Sequence, residues 1–183
     1  MRTSSTTTEA RGAFPAAAVA AETPLQVLTL GLGEEIFAIE TGTVREVLDV
    51  IEMTSVPGSR RFVVGLVNVR GKVVPVVDMK HKFGMPATDT SSDTRIVVIE
   101  TTLKGEASLV GILADHVNEV TELATASLEE PPRIGMTWRP EFIRAVGKRD
   151  AEFIIVMDIG RVFASEERAC VKEAAPWPTT DNT

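Results

Sequence analysis

The chain has no tyrosine, one cysteine and two histidines, and aromatic residues make up only 5% of its 183 positions. Each scarcity closes a class of function. Cys170 alone cannot form an intramolecular disulfide or supply a thiolate metal cluster, and it reads as an exposed thiol in a polar tail. His81 and His116 lie far apart and lack the spacing of a metal pair. His81, between two lysines, reads as solvated surface, and His116 carries no assigned role. There is no G-x-S-x-G, no phosphate-binding glycine loop and no C-x-x-C. The stretch 89–93 has too few acidic oxygens at the right spacing for a calcium loop. Asp78, Asp115 and Asp158 each follow an apolar run and read as strand-ending or capping carboxylates rather than a catalytic set. No apolar run approaches the ~20 residues that span a bilayer. The alanine-rich start, with Glu9 and Pro15, is too weakly hydrophobic for a secretory leader. Basic residues are also in deficit: the net charge of −7 argues against nucleic acid as the main partner. The expectation is a cytoplasmic chain with no catalytic site, cofactor or metal, and without direct membrane insertion.

What remains is globular in composition, 44% hydrophobic and 25% charged, with a core that must be built from Val, Ile, Leu and Met. The length suits one compact domain or two small subdomains. Residues 1–23 carry few large apolar side chains and are expected to be a disordered tail, with a weak Ala-rich helix as the alternative. Residues 24–166 form the folded body, and 167–183 are expected to be a flexible tail. Within the body, β-branched runs bounded by Gly, Pro and Asp predict strands at 25–33, 34–39, 62–69, 73–77, 95–102, 107–114, 142–147 and 152–157. The run 115–120 reads as a continuation of the strand before it, and 43–47 as a helical turn or the start of a strand. Short helical turns are predicted at 80–84 and 158–163, with surface loops at 85–93 and 125–133. Pro75 cannot donate to a ladder and should sit on an edge strand or at a bulge. Many short strands with almost no helix give a mainly β fold, barrel or sandwich. No internal repeat of fixed period is visible.

The most distinctive stretch is 62–84, FVVGLVNVRGKVVPVVDMKHKFG. Two Val-rich runs flank Arg70-Gly71-Lys72, so Asn68, Arg70 and Lys72 share one face of a tight hairpin and Arg70 stands at its tip. The stretch resembles the G-V-x-N-[LV]-R-G-x-[IV]-[VL]-P-[IV]-[VI]-[DN]-[LM]-[RK] signature of the CheW family of chemotaxis coupling proteins. The likeness extends to LTLGLGEEIFAIE, to Val44-Arg45-Glu46-Val47, to 110–120 and to AVGKRDAEFIIVMDI. Lys80 stands where the family often has arginine, and the two tails match nothing in it.

The resemblance implies two small SH3-like β-barrels packed side by side, with a few short helices. It also implies a non-catalytic adaptor that couples the histidine kinase CheA to the cytoplasmic tips of methyl-accepting chemotaxis receptors. A receptor-facing groove would involve Val44, Gly65, Asn68 and Arg70, with Glu46 near a contact surface. Kinase-facing surfaces would come from both barrels, with no residue named. The alternatives are a CheW-like regulatory adaptor of a non-flagellar pathway, or a small ligand-binding barrel or enzyme, for which no polar constellation is visible. Arg60, Arg61, Arg70, Lys72, Lys80 and Lys82 cluster within an acidic chain, opposite Glu119, Glu122, Glu129 and Glu130; most of these read as ordinary solvated surface. Arg70 is the exception. Its planar fork of donors suits a partner's carboxylate or carbonyl oxygens, and it could equally pin its own hairpin.

Overall fold

The computed structural model describes residues 23–132, 139–149 and 151–164. Most of the N-terminal tail, the whole of the C-terminal tail and Cys170 lie outside these residues. Among the described residues, eleven strands form two sheets. In chain order they are β1 (Leu25–Leu32), β2 (Glu35–Glu40), β3 (Val44–Asp49), β4 (Val63–Val69), β5 (Lys72–Asp78), β6 (Arg95–Leu103), β7 (Glu106–Ala114), β8 (His116–Leu123), β9 (Leu128–Glu129), β10 (Ile143–Arg149) and β11 (Glu152–Met157). One helical turn, α1 (Met79–Lys82), follows β5, and helical residues at 159–164 follow β11. The six-stranded sheet runs β8-β1-β2-β11-β10-β9 and the five-stranded sheet β3-β6-β7-β5-β4.

The mainly β expectation holds, but neither sheet closes into a barrel. In the five-stranded sheet the edges β3 and β4 are consecutive strands, yet no ladder joins them among the described residues; the bridge Thr54↔Leu66 ties only the segment between them to β4. In the six-stranded sheet β8 and β9 are joined by a 3-10 turn at Thr125–Ser127 rather than by a ladder. The following Pro131 and Pro132 lack N–H donors, which leaves β9 two residues long.

Chain order conceals a repeat. Each half of the chain supplies a hairpin, an edge strand, a second hairpin and a helical turn. The first hairpins are exchanged: β1–β2 lies with β8, β10 and β11, whereas β6–β7 lies with β3, β4 and β5. The two second hairpins correspond closely. Asp78 N–H donates to the Phe62 carbonyl and Asp158 N–H to the Phe142 carbonyl, both at 2.8 Å. The ladders slip between Val63 and Gly65 in one and between Ile143 and Ala145 in the other. Both β5 and β11 then pair in parallel with the second strand of the borrowed hairpin. Residue types differ between the copies, and the spacing of the first hairpins differs from that of the second, so no fixed period survives in the sequence.

This arrangement buries most central strands on both faces. The largest apolar cluster, including Leu30, Phe37, Met79, Ile99, Ile112 and Met157, draws on both sheets. A second cluster, with Val67, Val74, Val76, Ile96 and Leu113, belongs to the five-stranded sheet. A third, with Val27, Ala38, Leu123, Ile154 and Val156, belongs to the six-stranded one. Alternate residues of β5, β6, β7 and β11 therefore enter different clusters, which explains continuous runs such as IVVI in β6 and FIIV in β11 where one-sided strands would alternate. Phe83 joins the elements by stacking on Phe37, with ring centroids 5.7 Å apart, and by meeting Phe142 at 6.0 Å.

Two local expectations change. β8 is a separate strand in the other sheet, not a continuation of β7. Asp115 makes the corner: its N–H donates to the Gly31 carbonyl, and its carboxylate accepts from Gly33 N–H at 2.7 Å and from Lys80 Nζ at 3.0 Å. Pro75 is in an inner strand. Its partner Leu66 directs both backbone groups to Thr54, and β5 pairs with β7 only from Val76 onward, so no ladder bond is lost to the proline.

Candidate functional site

At one end of the five-stranded sheet the β4–β5 hairpin turns through Arg70 and Gly71, both with positive φ (52° and 82°). This matches the two-residue turn that suits the right-handed twist of paired strands. Asn68 Oδ1 accepts from Gly71 N–H at 2.8 Å and braces the turn. Lys104-Gly105, between β6 and β7, has the same geometry (53° and 80°), so a cation in the left-handed position is a turn solution used twice here.

The turn aims Arg70 across the open side of the curled sheet at Glu46 on the opposite edge strand. Arg70 Nε and Nη2 donate to the two Glu46 oxygens at 2.9 and 3.0 Å. The hydrogen bond from Arg70 holds the Glu46 carboxyl below its ordinary value of 4.5, and Glu46 raises the guanidinium in return. Alongside, Arg45 pairs in the same two-pronged way with Glu100 of β6, at 2.8 and 3.3 Å. That hydrogen bond, with Arg45 and Lys72 as nearby positive charges, lowers the Glu100 carboxyl. These four charged groups and Lys72 surround a shallow pocket of about 360 Å³ floored by Val69, Val98 and Leu109. Apolar floor and paired rim charges can receive a protein surface. Among the described residues there is no group of three or more His, Cys, Asp or Glu able to hold a metal ion.

Of the residues singled out from sequence, Glu46 and Arg70 meet at this pocket, and Asn68 supports it through the turn. Val44 and Gly65 do not line it. Val44 is half-buried at the start of β3 against the shared core. Gly65 lies on β4 about 17 Å along the strand from the tip. It is buried beneath its own chain: a Cβ there would stand 2.8 Å from the Thr54 carbonyl oxygen and 3.1 Å from Met53 Cβ. Gly65→Ala is therefore expected to push 53–54 off β4 and cost about 1–3 kcal/mol. Amide exchange should quicken at Leu66, which donates to Thr54; a protected Leu66 amide and an unshifted melting curve would contradict this packing. Arg45, Lys72, Glu100 and Leu109 were missed as site residues. Two signals were legible: Lys72, on the hairpin face shared with Asn68 and Arg70, and Glu100, the acid that follows the apolar run 96–99 within β6.

The sequence profile of the CheW-like domain matches residues 26–167, which takes in every strand but the first residue of β1. The chain belongs to the CheW-like family. It is 26% identical over 142 residues to the chemotaxis protein CheW of Treponema pallidum, covering 78% of this chain and 84% of that one. To CheW of Klebsiella aerogenes it is 27% identical over 150 residues, covering 82% and 88%. Among solved structures, the scaffolding protein TtCheW of Thermoanaerobacter tengcongensis superposes with a TM-score of 0.69 at 30% identity, covering 79% of this chain and 91% of that one. These likenesses run through both sheets, so the CheW-like unit here is the whole described body rather than one sheet of it.

Proposed function

We propose that this chain is a non-catalytic chemotaxis adaptor that couples a CheA-type histidine kinase to the cytoplasmic tips of chemoreceptors. The observation that carries the reading is the family match across both sheets. The Arg70–Glu46 end of the five-stranded sheet supplies the receptor-facing contact: an exposed, oriented guanidinium over an apolar floor, held on a rigid hairpin. Val44, Gly65 and Asn68 act behind it, shaping the strands that present it. The adaptor works in the cytoplasm beside the receptors. No helix of the described residues is long and apolar enough to cross a membrane, and attachment to an array comes through protein contacts.

The test is a titration of the purified chain against a kinase regulatory fragment and a receptor-tip fragment, separately and together. Wild type should bind both at once. Arg70→Ala should weaken receptor-tip binding by roughly tenfold, the loss usual for an interface arginine. Its melting temperature should stay within about 2 °C of wild type, because exposed ion pairs contribute little to stability. Failure of wild type to bind either fragment would overturn the reading. Unchanged receptor affinity in Arg70→Ala would remove Arg70 from the contact.

The pair also sets a pH dependence. Glu46 has a depressed folded-state pKa, so its contribution is present above the ordinary carboxyl value and is lost as pH falls through the lower folded value. Stability is expected to be level with respect to Glu46 from pH 8 to about 5.5 and to fall only in more acid solution. Glu46→Gln should remove its share of that fall.

A further inference from the structure

The six-stranded sheet carries a larger depression, for which the family reading names no residue. It encloses about 630 Å³ where β2, β9, β10 and β11 come together. Its floor is apolar, made by Ile36, Val146 and Ile155, and Phe153 stands at its side with 64% of its surface exposed. A phenylalanine so placed is costly unless something covers it, since an exposed ring keeps apolar area in contact with water. The rim has one sign. Glu34, Glu35, Glu129, Glu130 and Glu152 all line the depression, and no lysine or arginine among the described residues does.

Glu35 adds a second observation. One of its carboxylate oxygens, Oε2, is buried and has no hydrogen-bond partner. Burial, and the neighbouring charge of Glu34, push its carboxyl above the ordinary range. A half-buried carboxylate beside like charges is unfavourable by itself, and a cation brought to the exposed side of the cluster lowers that cost. The Glu46–Arg70 pocket differs: there each acid already has its arginine.

We propose that this groove docks a protein partner through an apolar side chain flanked by lysine or arginine, at a face separate from the Arg70 hairpin. The apolar group fills the floor beside Phe153, and the flanking cations meet Glu35 and the rim. The one-signed rim selects the partner, because an acidic surface of the same shape is repelled. The inference rests on the adaptor reading for there being a second protein partner, while the chemistry required of it comes from the groove alone.

The experiment has two arms. In the first, the isotopically labelled full chain is titrated with a capped peptide Lys-Arg-Leu-Phe-Arg-Lys and with its charge-reversed counterpart. The cationic peptide should move the amide resonances of Ile36 and Phe153 saturably, and the acidic peptide should not. Glu129→Gln combined with Glu152→Gln, and separately Phe153→Ser, should weaken the effect at least fivefold, while Arg70→Ala leaves it unchanged. Shifts scattered over the acidic surface, or an equal response to both peptides, would overturn the proposal. In the second arm the same groove variants are titrated against the kinase and receptor-tip fragments at low and high salt. One fragment should lose roughly tenfold in affinity and much of its salt dependence, with the other held within twofold. If both fragments bind the groove variants as they bind wild type, the groove is not a partner site. If neither fragment binds wild type, the adaptor reading fails and the peptide arm alone decides the groove.

Discussion

Val76→Asp is expected to leave little folded protein at 37 °C. Val76 is fully buried in the cluster within the five-stranded sheet, on a strand that pairs on both sides. Across the parallel ladder its methyl group approaches Gly111 so closely that a Cβ there would sit 3.1 Å away. Its cluster is built of Val, Ile and Leu, so the substitution leaves a charge unpaired among them and removes tightly packed methyls. The expected cost is about 3–5 kcal/mol against a typical total of about 5–15. A melting temperature lower by roughly 10 °C or more follows for a domain of this size. The pH signature is distinctive. Burial raises the new carboxyl's pKa, so the loss should be fullest at pH 8 and should shrink as pH falls through that raised value. Val76→Thr separates polarity from charge and should cost much less. A Val76→Asp variant melting with wild type would mean that Val76 faces water and that the register of β5 is shifted by one residue.

Asp78→Ala should produce the second large loss, with a more local signature. Asp78 ends β5 and is itself buried. One oxygen accepts from His81 N–H at 3.2 Å, capping α1, and from the Thr88 hydroxyl at 3.1 Å. The other accepts from Thr88 N–H at 2.8 Å. Alanine orphans these donors together and is expected to cost about 2–4 kcal/mol. Amide exchange should quicken first at His81 and Thr88, before the strands on either side respond. Asp78→Asn keeps one acceptor oxygen and should recover part of the loss. Full protection of Thr88 in Asp78→Ala would show that the loop after α1 is held by something else.

The sequence carried these elements to different depths. Strand positions were legible because the Val and Ile runs are bounded by glycine turns, and the capping role of Asp78 because the acid directly follows such a run. Open sheets in place of closed barrels were not legible, since closure depends on whether 50–54 and 128–129 add ladder bonds, and single residues such as Thr54 decide that. Asp115 was legible as a strand-ending carboxylate, but the change of sheet after it was not, because 116–120 reads as more of the same strand. Its function lies in one carboxylate meeting Gly33 and Lys80, both distant in sequence. The candidate site was half visible. Arg70 and Asn68 lie in a turn that announces itself, whereas Arg45 and Glu100 become a pair only when β3 lies beside β6. Gly65 was marked as a groove residue, and what packs against it is the chain's own Thr54 backbone.

The exchange of hairpins bears on how this protein is made. The β1–β2 hairpin leaves the ribosome first, but its neighbours in the finished sheet, β8 and β11, are among the last strands synthesised. Until they arrive, the apolar faces of Leu30, Phe37 and Ile39 have only part of their cover, from residues such as Met79 and Phe83, and the first half of the chain has only β3, β4 and β5 with which to begin a sheet. Such distant pairings slow folding and lengthen the time during which unpaired edges can meet other chains. Shielding this early hairpin, by a chaperone or by slower synthesis, is therefore expected to raise the yield of folded protein.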